Sequence, residues 1–351
     1  MILGDLTKHA GEWLRGEGPS HDVVVSSRVR LARNQAGMPF LSRCTDGQKQ
    51  ELEAHLRQHI LASGIAGNIL YVDIAAAGEL DRQLLLERHL ISREHAQSHH
   101  PCGVVISESE TLAIMVNEED HLRIQVLRSG LRLEESMAEI FQIDDKLEER
   151  IDFAYHSRYG YLTACPTNVG TGLRISAMLH LPALKMTGDI DKAIRAARDM
   201  QLEIRGLYGE GTEAAGDLFQ ISNQTTLGKS EEQLVRDFSQ RTIPKFIDYE
   251  RRARQVLLKK QPAAFEDKIY RAIAILRSAR VMSSQETMYL LSLLRLGIMV
   301  GKVTDIDLKT VNEVFLLTQP AHLQKILKRE MNPQERGEAR AAFIRTRLGA
   351  G

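Results

Sequence analysis

The sequence predicts an α+β fold in which an antiparallel sheet flanked by helices is followed by an all-α C-terminal domain. Two observations support this prediction. Three β-prone runs with short connections indicate neighbouring antiparallel strands, and they are CGVVIS at 102–107, LAIMV at 112–116 and LRIQVL at 122–127. Strand signals then end after Ser230, and amphipathic helical patterns continue from there.

Further elements follow from the spacing of apolar residues and from capping patterns. Apolar spacing predicts helices at 48–63, 133–150, 170–181 and 189–204, and β propensity predicts a strand at 161–165. In the C-terminal region, Ser283 and Glu286 form a capping-box pattern. Asn332 and Pro333 begin the last predicted helix, with Glu335 at its third position.

Length and composition narrow the class of protein. The 351 residues are enough for two domains, and we place these at 1–250 and 251–351. The 46 basic and 46 acidic residues balance, so no overall positive field favours nucleic acid. Three cysteines without a CxxC pair argue against a disulfide framework or a zinc site and for a reducing cytosol. No segment has the pattern of a signal peptide or a membrane span, so we expect a cytoplasmic protein without a membrane partner.

An acidic block lies between two of the predicted strands. Glu118, Glu119 and Asp120 follow one another directly, and Arg123 comes shortly after them. A solvated hairpin tip accounts for this pattern, and so do carboxylates directed at a cationic substrate. The block by itself leaves both interpretations open.

Two arginines share one face of a predicted strand. The segment SSRVRLAR at 26–33 places Arg28 and Arg30 two residues apart, and side chains at that spacing point to the same side. Buried arginines need an anionic partner, and the planar guanidinium is suited to phosphate. A strand face held by surface salt bridges is the alternative.

Two glycine-rich segments follow. CPTNVGTGLR at 165–174 combines a strand end, a turn and Arg174, and the backbone N–H groups of such a turn can bind an anion. Cys165 is either a nucleophile or, more simply, a buried or loop-facing thiol. RGLYGEGTEAAG at 205–216 has the glycine content of a mobile loop but also contains Arg205, Glu210 and Glu213. We therefore interpret it as a lid that brings an arginine and an acid to a site.

Together these segments supply separated arginines and separated acids, namely Arg28, Arg30, Arg123, Arg174 and Arg205 with Glu119 and Glu210. The arginines suit a polyphosphate and a charged transition state, and the acids suit a cation. A nucleoside triphosphate with a guanidinium substrate requires this division, because phosphoryl transfer depends on positioning and charge neutralisation. A guanidinium has a pKa above about 12, so one carboxylate must align it and one must accept its proton.

The segments SSRVRLAR, NEEDHLR, CPTNVGTGLR and RGLYGEGTE resemble, in order and spacing, the signature segments of the ATP:guanidino phosphotransferases. That family includes creatine kinase and arginine kinase. The resemblance covers about residues 20–230 of this chain. It implies the guanidino-kinase catalytic fold, kinase activity, and ATP and Mg²⁺ as cofactors.

The resemblance also implies roles for individual residues. ATP binding is expected at Ser27, Arg28, Arg30, His89, Arg123, Arg174, Met178, Arg205 and Glu210. The substrate site is expected at Glu119, Cys165, Asn168 and Glu210, and catalysis at Glu119, Glu210, Arg174 and Arg205. We expect Mg²⁺ on the nucleotide phosphates without a protein cage, with Glu118 either holding one of its waters or standing as a solvated acid.

This sequence differs from the family members that act on small guanidino metabolites, and the differences favour a protein substrate. Those members have a helical domain that encloses a free metabolite before the first arginine segment, whereas 27 residues precede Arg28 here. Met178 also stands where many of them have a histidine beside the adenosine. The C-terminal helical region resembles that of the bacterial protein-arginine kinases, which phosphorylate arginine side chains in proteins and mark them for a Clp protease. A small-molecule guanidino (arginine) kinase and a non-catalytic phosphoarginine-binding adaptor are the alternatives.

This resemblance implies several partners. They are protein substrates with exposed arginines, an activator protein, a Clp unfoldase or protease, and a second copy of the chain in a homodimer. The apolar stripe of Leu290, Leu293, Leu294 and Ile298 suits such a dimer, and it equally suits packing within the helical domain.

A second site is implied near the end of the chain. Protein-arginine kinases read phosphoarginine with an Arg-Asp-x-x-Arg-Ala motif, to which Arg336 and Arg340 correspond here. Both lie on one side of the last predicted helix, four residues apart. Gly337 replaces the motif's acid, so we expect phosphate-directed binding to be weak or lost. A solvated basic helix end is the alternative.

Overall fold

The computed structural model describes residues 2–207, 215–224 and 226–349. Within these ranges eight strands form one sheet in the order β2-β3-β4-β5-β1-β8-β10-β9, and every neighbouring pair is antiparallel. A separate short hairpin is formed by β6 and β7. The strands are β1 Val24–Arg33, β2 Ile69–Asp73, β3 Gly103–Ser107, β4 Leu112–Val116, β5 Leu122–Ser129, β6 Tyr155–His156, β7 Gly160–Tyr161, β8 Leu173–His180, β9 Leu202–Gly206 and β10 Leu218–Asn223.

Helices flank the sheet and make up the region after β10. They are α1 Asp46–Ala62, α2 Glu79–Glu87, α3 Arg93–Ala96, α4 Leu133–Glu148, α5 Pro182–Met186, α6 Ile190–Asp199, α7 Glu231–Asp237, α8 Ile243–Lys260, α9 Pro262–Ser278, α10 Ser284–Met299, α11 Leu308–Leu317, α12 Pro320–Leu327 and α13 Pro333–Arg347. A π-helical turn, Phe238–Thr242, joins α7 to α8. Among the described residues, no helix is both long and apolar enough to cross a membrane.

The side chains of the central strand β1 lie alternately on an apolar face and on a polar face of the sheet. Val29 and Leu31 are completely buried on one face, where helix α4 packs against β1 and β5 through Ile140 and Leu147. Side chains alternate along a strand, so Arg28 and Arg30 lie on the opposite face. The sheet thus provides a stable apolar support for a surface lined with arginine.

The predicted antiparallel strands and the first two predicted helices are confirmed. The three apolar runs form β3, β4 and β5 as consecutive neighbours. Helix α1 begins after Thr45, which forms a capping box with Gln48. Helix α4 ends at Glu148, two residues before the predicted end.

The prediction of a helix at 170–181 was wrong, because this segment forms the central strand β8. The strand pairs with β1 on one side and β10 on the other, and nearly all of its side chains are buried. Polar and apolar residues therefore alternate only weakly along it. A short, continuously apolar run does not distinguish a buried strand from a buried helix. Arg174 therefore lies on a strand, directly opposite Arg30.

Two further boundaries also differ from the prediction. Helix α6 ends at Asp199, and the chain turns at Gln201, whose φ of +55° is left-handed, before entering edge strand β9. The predicted strand at 161–165 pairs only at Tyr161, and the chain then runs to the 3-10 turn Pro166–Asn168. The conformation of this segment is set by hydrogen bonds to other loops, from Leu162 N–H to the Ala154 carbonyl and from Ala164 N–H to Asp120. The local sequence pattern does not encode these contacts.

The helical region packs onto the sheet region through one continuous apolar core. Helix α8 runs without interruption across residue 250, the predicted division between two domains. That division stays a prediction.

Candidate active site

Arginines from three neighbouring strands meet on the polar face of the sheet. Arg30 on β1 pairs in register with Arg174 on β8, and Arg28 pairs with Ser176. Arg123 on β5 lies opposite Ala32, two residues from Arg30 along β1. The antiparallel register therefore gathers residues that are far apart in sequence.

This arrangement perturbs the guanidinium groups. Burial and the charges of Arg174, Arg123 and Arg205 lower the pKa of Arg28 to about 10. Burial and the charges of Arg28, Arg123 and Arg174 likewise hold the pKa of Arg30 well below its ordinary value. Positive charge concentrated in this way is relieved by a bound anion, and several guanidinium groups together suit a polyphosphate.

Glu203 on edge strand β9 is a counter-ion for two of the arginines. Its carboxylate accepts hydrogen bonds from Arg174 and, at 2.5 Å, from Arg205. Arg174 also donates to Ser222 Oγ at 3.1 Å, and Arg28 donates to Gln220 Oε1 at 2.5 Å. A phosphate entering this face would compete with Glu203 for Arg174 and Arg205.

The three acids of the β4–β5 hairpin occupy three different environments. Glu118 is 2% exposed and accepts hydrogen bonds from Arg123 at 2.5 Å and Ser92 at 2.5 Å. Its other oxygen accepts the backbone N–H of Glu119. Because both oxygens are engaged in a buried position, the structure favours neither a solvated acid nor a holder of a metal-bound water at Glu118.

Glu119 is the acid that faces outward. Its side chain is 45% exposed and lies 3.2 Å from Arg123. Partial burial, the largest effect, together with the charges of Asp120 and Glu118, raises the pKa of Glu119 despite Arg123. An accessible carboxylate with a raised pKa beside an arginine cluster is suited to bind a cation and to accept a proton from it.

Asp120 is completely buried and holds the hairpin in place. Its Oδ1 accepts hydrogen bonds from Asn34 Nδ2 at 2.6 Å and from the backbone N–H of Ala164 at 2.7 Å. The second contact brings the Cys165 segment next to the acidic block. Of three consecutive acids, one is therefore exposed to solvent and two are buried and engaged in hydrogen bonds.

The predicted substrate-site residues Cys165 and Asn168 lie on the turn that Asp120 anchors. Cys165 is half-buried, and its Sγ lies 3.0 Å from Thr167 Oγ1. The Asn168 backbone N–H donates to the Cys165 carbonyl, closing the turn. Cys165 is thus a thiol on the turn next to Ala164, the residue that Asp120 holds in place.

A narrow cavity on the same face of the sheet is lined by His89, Met178 and Arg28. Trp13, Ser26, Leu127, Ser176 and Gln220 complete its lining. His89 packs edge-on against Trp13 with ring centroids 4.5 Å apart, and burial lowers the pKa of His89 to about 3. The cavity has a volume of only about 10 Å³, so a neutral imidazole, an indole and a thioether pack together beside Arg28 with no open space for a nucleotide base in this structure.

Some predicted site residues lie elsewhere. Ser27 is on the apolar face, where its hydroxyl donates to the Gly130 carbonyl at 2.7 Å and accepts the Arg132 N–H, so the structure does not support it as an ATP ligand. Neighbouring Ser26 lines the cavity instead. Arg33 is also turned away, paired with Asp144 at 2.6 Å. Glu210 and Glu213 fall outside the described residues.

Arg336 and Arg340 lie in the C-terminal helical region rather than on the sheet. Arg340 is 3% exposed and donates to the carbonyls of Thr318 and Met282, both at 2.9 Å. Arg336 is half-buried and donates to the Met331 carbonyl at 2.7 Å. Gly337 is buried, and a Cβ there would lie 3.0 Å from Val281.

Sequence reasoning missed several residues of this face, among them Trp13, Ser26, Ser176, Glu203, Gln220 and Ser222. Their signal is alternation in step with the arginines, such as Arg174-x-Ser176-x-Met178, which only the strand assignment of β8 reveals. Within the described parts of the chain, no group of three or more His, Cys, Asp or Glu side chains is arranged to hold a metal ion.

Comparisons with known proteins agree with this geometry. Residues 51–253 match the family model of the ATP:guanido phosphotransferase C-terminal catalytic domain, and residues 262–350 match that of the protein-arginine kinase McsB C-terminal domain. A protein-arginine kinase of Symbiobacterium thermophilum is 47% identical over 98% of both chains. One from Halothermothrix orenii is 43% identical over 99% of both.

Solved guanidino kinases share the fold. A lombricine kinase structure has a TM-score of 0.58 at 26% identity and covers 71% of this chain and 70% of its own. A duplicated taurocyamine kinase from Schistosoma mansoni, with bound transition-state analogue components, has a TM-score of 0.59 at 28% identity over 71% of this chain and 36% of its own. The sheet region and the C-terminal helical region each match a family model, and the chain belongs to the ATP:guanido phosphotransferase family, in its protein-arginine kinase branch.

Proposed function

We propose that this chain transfers the γ-phosphoryl group of ATP to the guanidinium of arginine side chains in proteins. The observation that carries the proposal is the convergence of Arg28, Arg30, Arg123 and Arg174 on one sheet face with the accessible Glu119 at its edge. Positive groups for phosphate and a negative group for guanidinium thereby adjoin each other.

The arginines hold the nucleotide phosphates. The base is proposed to lie near His89 and Met178, where the cavity of about 10 Å³ must widen to admit it. Arg30 has no salt bridge or side-chain hydrogen bond within the described residues, so its guanidinium is available for phosphate oxygens without losing a partner. When the nucleotide binds, Arg174 and Arg205 release the Glu203 carboxylate and donate their hydrogen bonds to phosphate oxygens instead. Fixed guanidinium groups stabilise the charge on the transferred phosphoryl group in the transition state without reorganisation.

Glu119 aligns the substrate guanidinium and accepts its proton. A guanidinium nitrogen attacks the γ-phosphorus, a nitrogen–phosphorus bond forms, and the bond from phosphorus to the bridging oxygen breaks to release ADP. The proton of the attacking nitrogen passes to a carboxylate, for which the raised pKa of Glu119 is suited. We assign Glu210 the role of second acid, supported by its position in the glycine-rich segment.

Mg²⁺ neutralises the nucleotide phosphates when it is bound. Its ligands are mainly phosphate oxygens and water, a proposal consistent with the engaged carboxylate of Glu118 and with the reluctance of Mg²⁺ to lose water.

The proposed physiological partners are unfolded or exposed protein segments, an activator protein and a Clp unfoldase or protease, with this chain acting as a homodimer in the cytosol. The relatives named protein-arginine kinase support the substrate class. Three thiols without a CxxC pattern support a reducing compartment.

One experiment separates this function from its alternatives. The protein is incubated with ATP and Mg²⁺ and with either an unfolded protein or free arginine, and products are analysed by mass spectrometry. Phosphoarginine within the protein is expected. Product only from free arginine would indicate a small-molecule kinase, and phosphoarginine binding without any product would indicate an adaptor.

A further inference from the structure

A groove lined by tyrosines lies beside the candidate active site. It has a volume of about 610 Å³, and its lining includes Tyr155, Tyr159, Tyr161, Leu227, Glu148 and Glu231, which we call the tyrosine groove. Tyr155 and Leu227 are each 62% exposed and Tyr159 is 45% exposed. Several large apolar side chains exposed together mark a surface that binds a partner.

The groove is joined rigidly to the substrate turn. Tyr161 N–H donates to the Gly170 carbonyl at 2.8 Å, and Gly160 packs so closely on Gly170 that a Cβ would lie 2.4 Å from its oxygen. Tyr161 precedes Cys165 by four residues, so their Cα atoms are at most about 14 Å apart. A polypeptide segment that lies along the Cys165 turn can therefore reach the groove with a residue only a few positions away.

The charges of the groove suit a cation. Among the described residues, Glu148 and Glu231 have no salt bridge and no side-chain hydrogen bond, while Lys229 is paired with Asp237 and the Arg158 guanidinium lies over the Tyr159 ring. Partial burial raises the pKa of Glu231. The Tyr161 ring already lies against the Arg33 guanidinium, with 3.5 Å between Arg33 Cζ and the ring centroid, as Tyr159 does against Arg158. The two carboxylates and the exposed Tyr155 ring are therefore the groups that attract a further basic side chain, through charge and a cation–π contact.

We propose that the tyrosine groove binds a lysine or arginine side chain of the substrate protein, a few residues from the arginine that is phosphorylated. The inference rests on the proposed function and adds a docking preference to it. The occupant is an extended substrate segment, because the groove continues the turn that carries Cys165 and Asn168.

The test compares two peptides that share one target arginine and differ in a second position, lysine in one and glutamine in the other. Lysine supplies the cation without offering a second guanidinium. A set with the lysine placed three to six residues on either side covers the reach of the groove. The wild-type chain is expected to phosphorylate the best lysine peptide with about three- to tenfold higher kcat/KM, mainly through KM.

Two variants remove the groove's preference. In Glu148→Gln/Glu231→Gln and separately in Tyr155→Leu, the lysine-to-glutamine ratio of kcat/KM is expected to fall towards one. The glutamine peptide measured in each variant corrects for any general loss of activity. The matched control Glu149→Gln/Glu232→Gln removes the same charges from the next residue in each case, just after the end of α4 and within α7, both outside the groove. It is expected to keep the ratio.

The outcomes separate the inference from the function on which it rests. Phosphorylation of both peptides at equal kcat/KM leaves the kinase function standing and overturns the groove. A ratio that persists in both groove variants, or that also vanishes in the control, overturns it as well. Phosphorylation of neither peptide contradicts the proposed function and the groove together.

Discussion

Glu119 differs from its two acidic neighbours because it alone is exposed to solvent. We expect Glu119→Ala to lower turnover by about 100-fold or more, since a charge-assisted contact to the reacting group is lost in the transition state. ATP affinity is expected to persist, because the phosphate contacts come from the arginines. Single-turnover phosphorylation and a nucleotide-binding titration measure the two quantities. Near-normal turnover would remove Glu119 from the mechanism.

Glu203 neutralises Arg174 and Arg205 in the absence of nucleotide. We expect Glu203→Gln to bind ATP about three- to tenfold more tightly, because phosphate no longer displaces a carboxylate. Glu139→Gln is the matched control, since it breaks a partly exposed 2.5 Å pair with Arg128 on the apolar side of the sheet. Calorimetric titration of both variants decides the point, and unchanged or weaker binding in Glu203→Gln would contradict the competition.

At the scale of secondary-structure elements, hydrogen bonds hold helix α12 of the C-terminal region against the end of helix α2, next to the cavity at His89. The buried Glu87 carboxylate accepts the backbone N–H groups of Ala321 and His322, and it contacts His322 Nδ1 at 2.7 Å. Arg88 follows with a bidentate pair to Glu110, and next comes His89 of the cavity, whose φ of +58° is left-handed. The end of α2 therefore links the helical region to the cavity at His89.

This link predicts a combined effect of one substitution. Glu87→Gln is expected to lower the free energy of unfolding by about 2–3 kcal/mol, since hydrogen bonds to a buried charge are lost. Weaker ADP binding is expected with it, through the shifted His89. Asp81→Asn breaks the exposed Lys325 pair between the same two helices and is expected to cost less than about 1 kcal/mol. Denaturant unfolding and ADP titration check both, and equal effects of the two variants would contradict the link.

Helix α13 shows how packing alters a sequence motif. Arg340 donates hydrogen bonds to the carbonyls of Thr318 and Met282, and a Cβ at Gly337 would lie in a tight contact, 3.0 Å from Val281. We expect phosphoarginine to bind only weakly to an inactive Glu119→Ala chain. Arg340→Ala is expected to destabilise the helical region, because buried carbonyls lose their donors. Tight binding that Arg340→Ala abolishes at unchanged thermal midpoint would contradict this account.

At the scale of the whole molecule, several buried histidines with lowered pKa values make the stability of the fold depend on pH. Burial lowers the pKa of His89 to about 3 and that of His95 to about 4, and it holds the pKa of His180 well below its ordinary value. The unfolded chain therefore binds more protons below the ordinary value of about 6.5. These groups stabilise the fold fully above pH 6.5, and their contribution declines as the pH falls towards 3.

We accordingly expect the urea midpoint to be nearly constant from pH 8 to 7 and to fall progressively from pH 6 to 4. His180→Gln, which keeps a polar group for Ser292, is expected to make that decline shallower. Equilibrium unfolding at fixed ionic strength measures the slope. A midpoint independent of pH from 8 to 4 would show that these imidazoles are not held neutral.

The sequence by itself determined the α+β class, the helical C-terminal region, the separated arginines and acids, and, through four ordered segments, the family. These features are local: alternation, helical spacing, capping patterns and residue types at fixed intervals. Arg28 and Arg30 were predicted to share a face because two-residue spacing fixes a strand face. The grouping of Arg174 with them rested instead on the set of separated arginines and on the family resemblance, since Arg174 was placed on a predicted helix.

Only the tertiary structure decided which acid of the 118–120 block is accessible, that Ser27 and Arg33 point away, and that 173–180 is a strand. Each depends on partners distant in sequence: Ser92 and Arg123 for Glu118, Asn34 for Asp120, and β1 and β10 for β8. Burial and pairing across a sheet are set by long-range packing, which overrides the local preference of a short apolar or acidic segment.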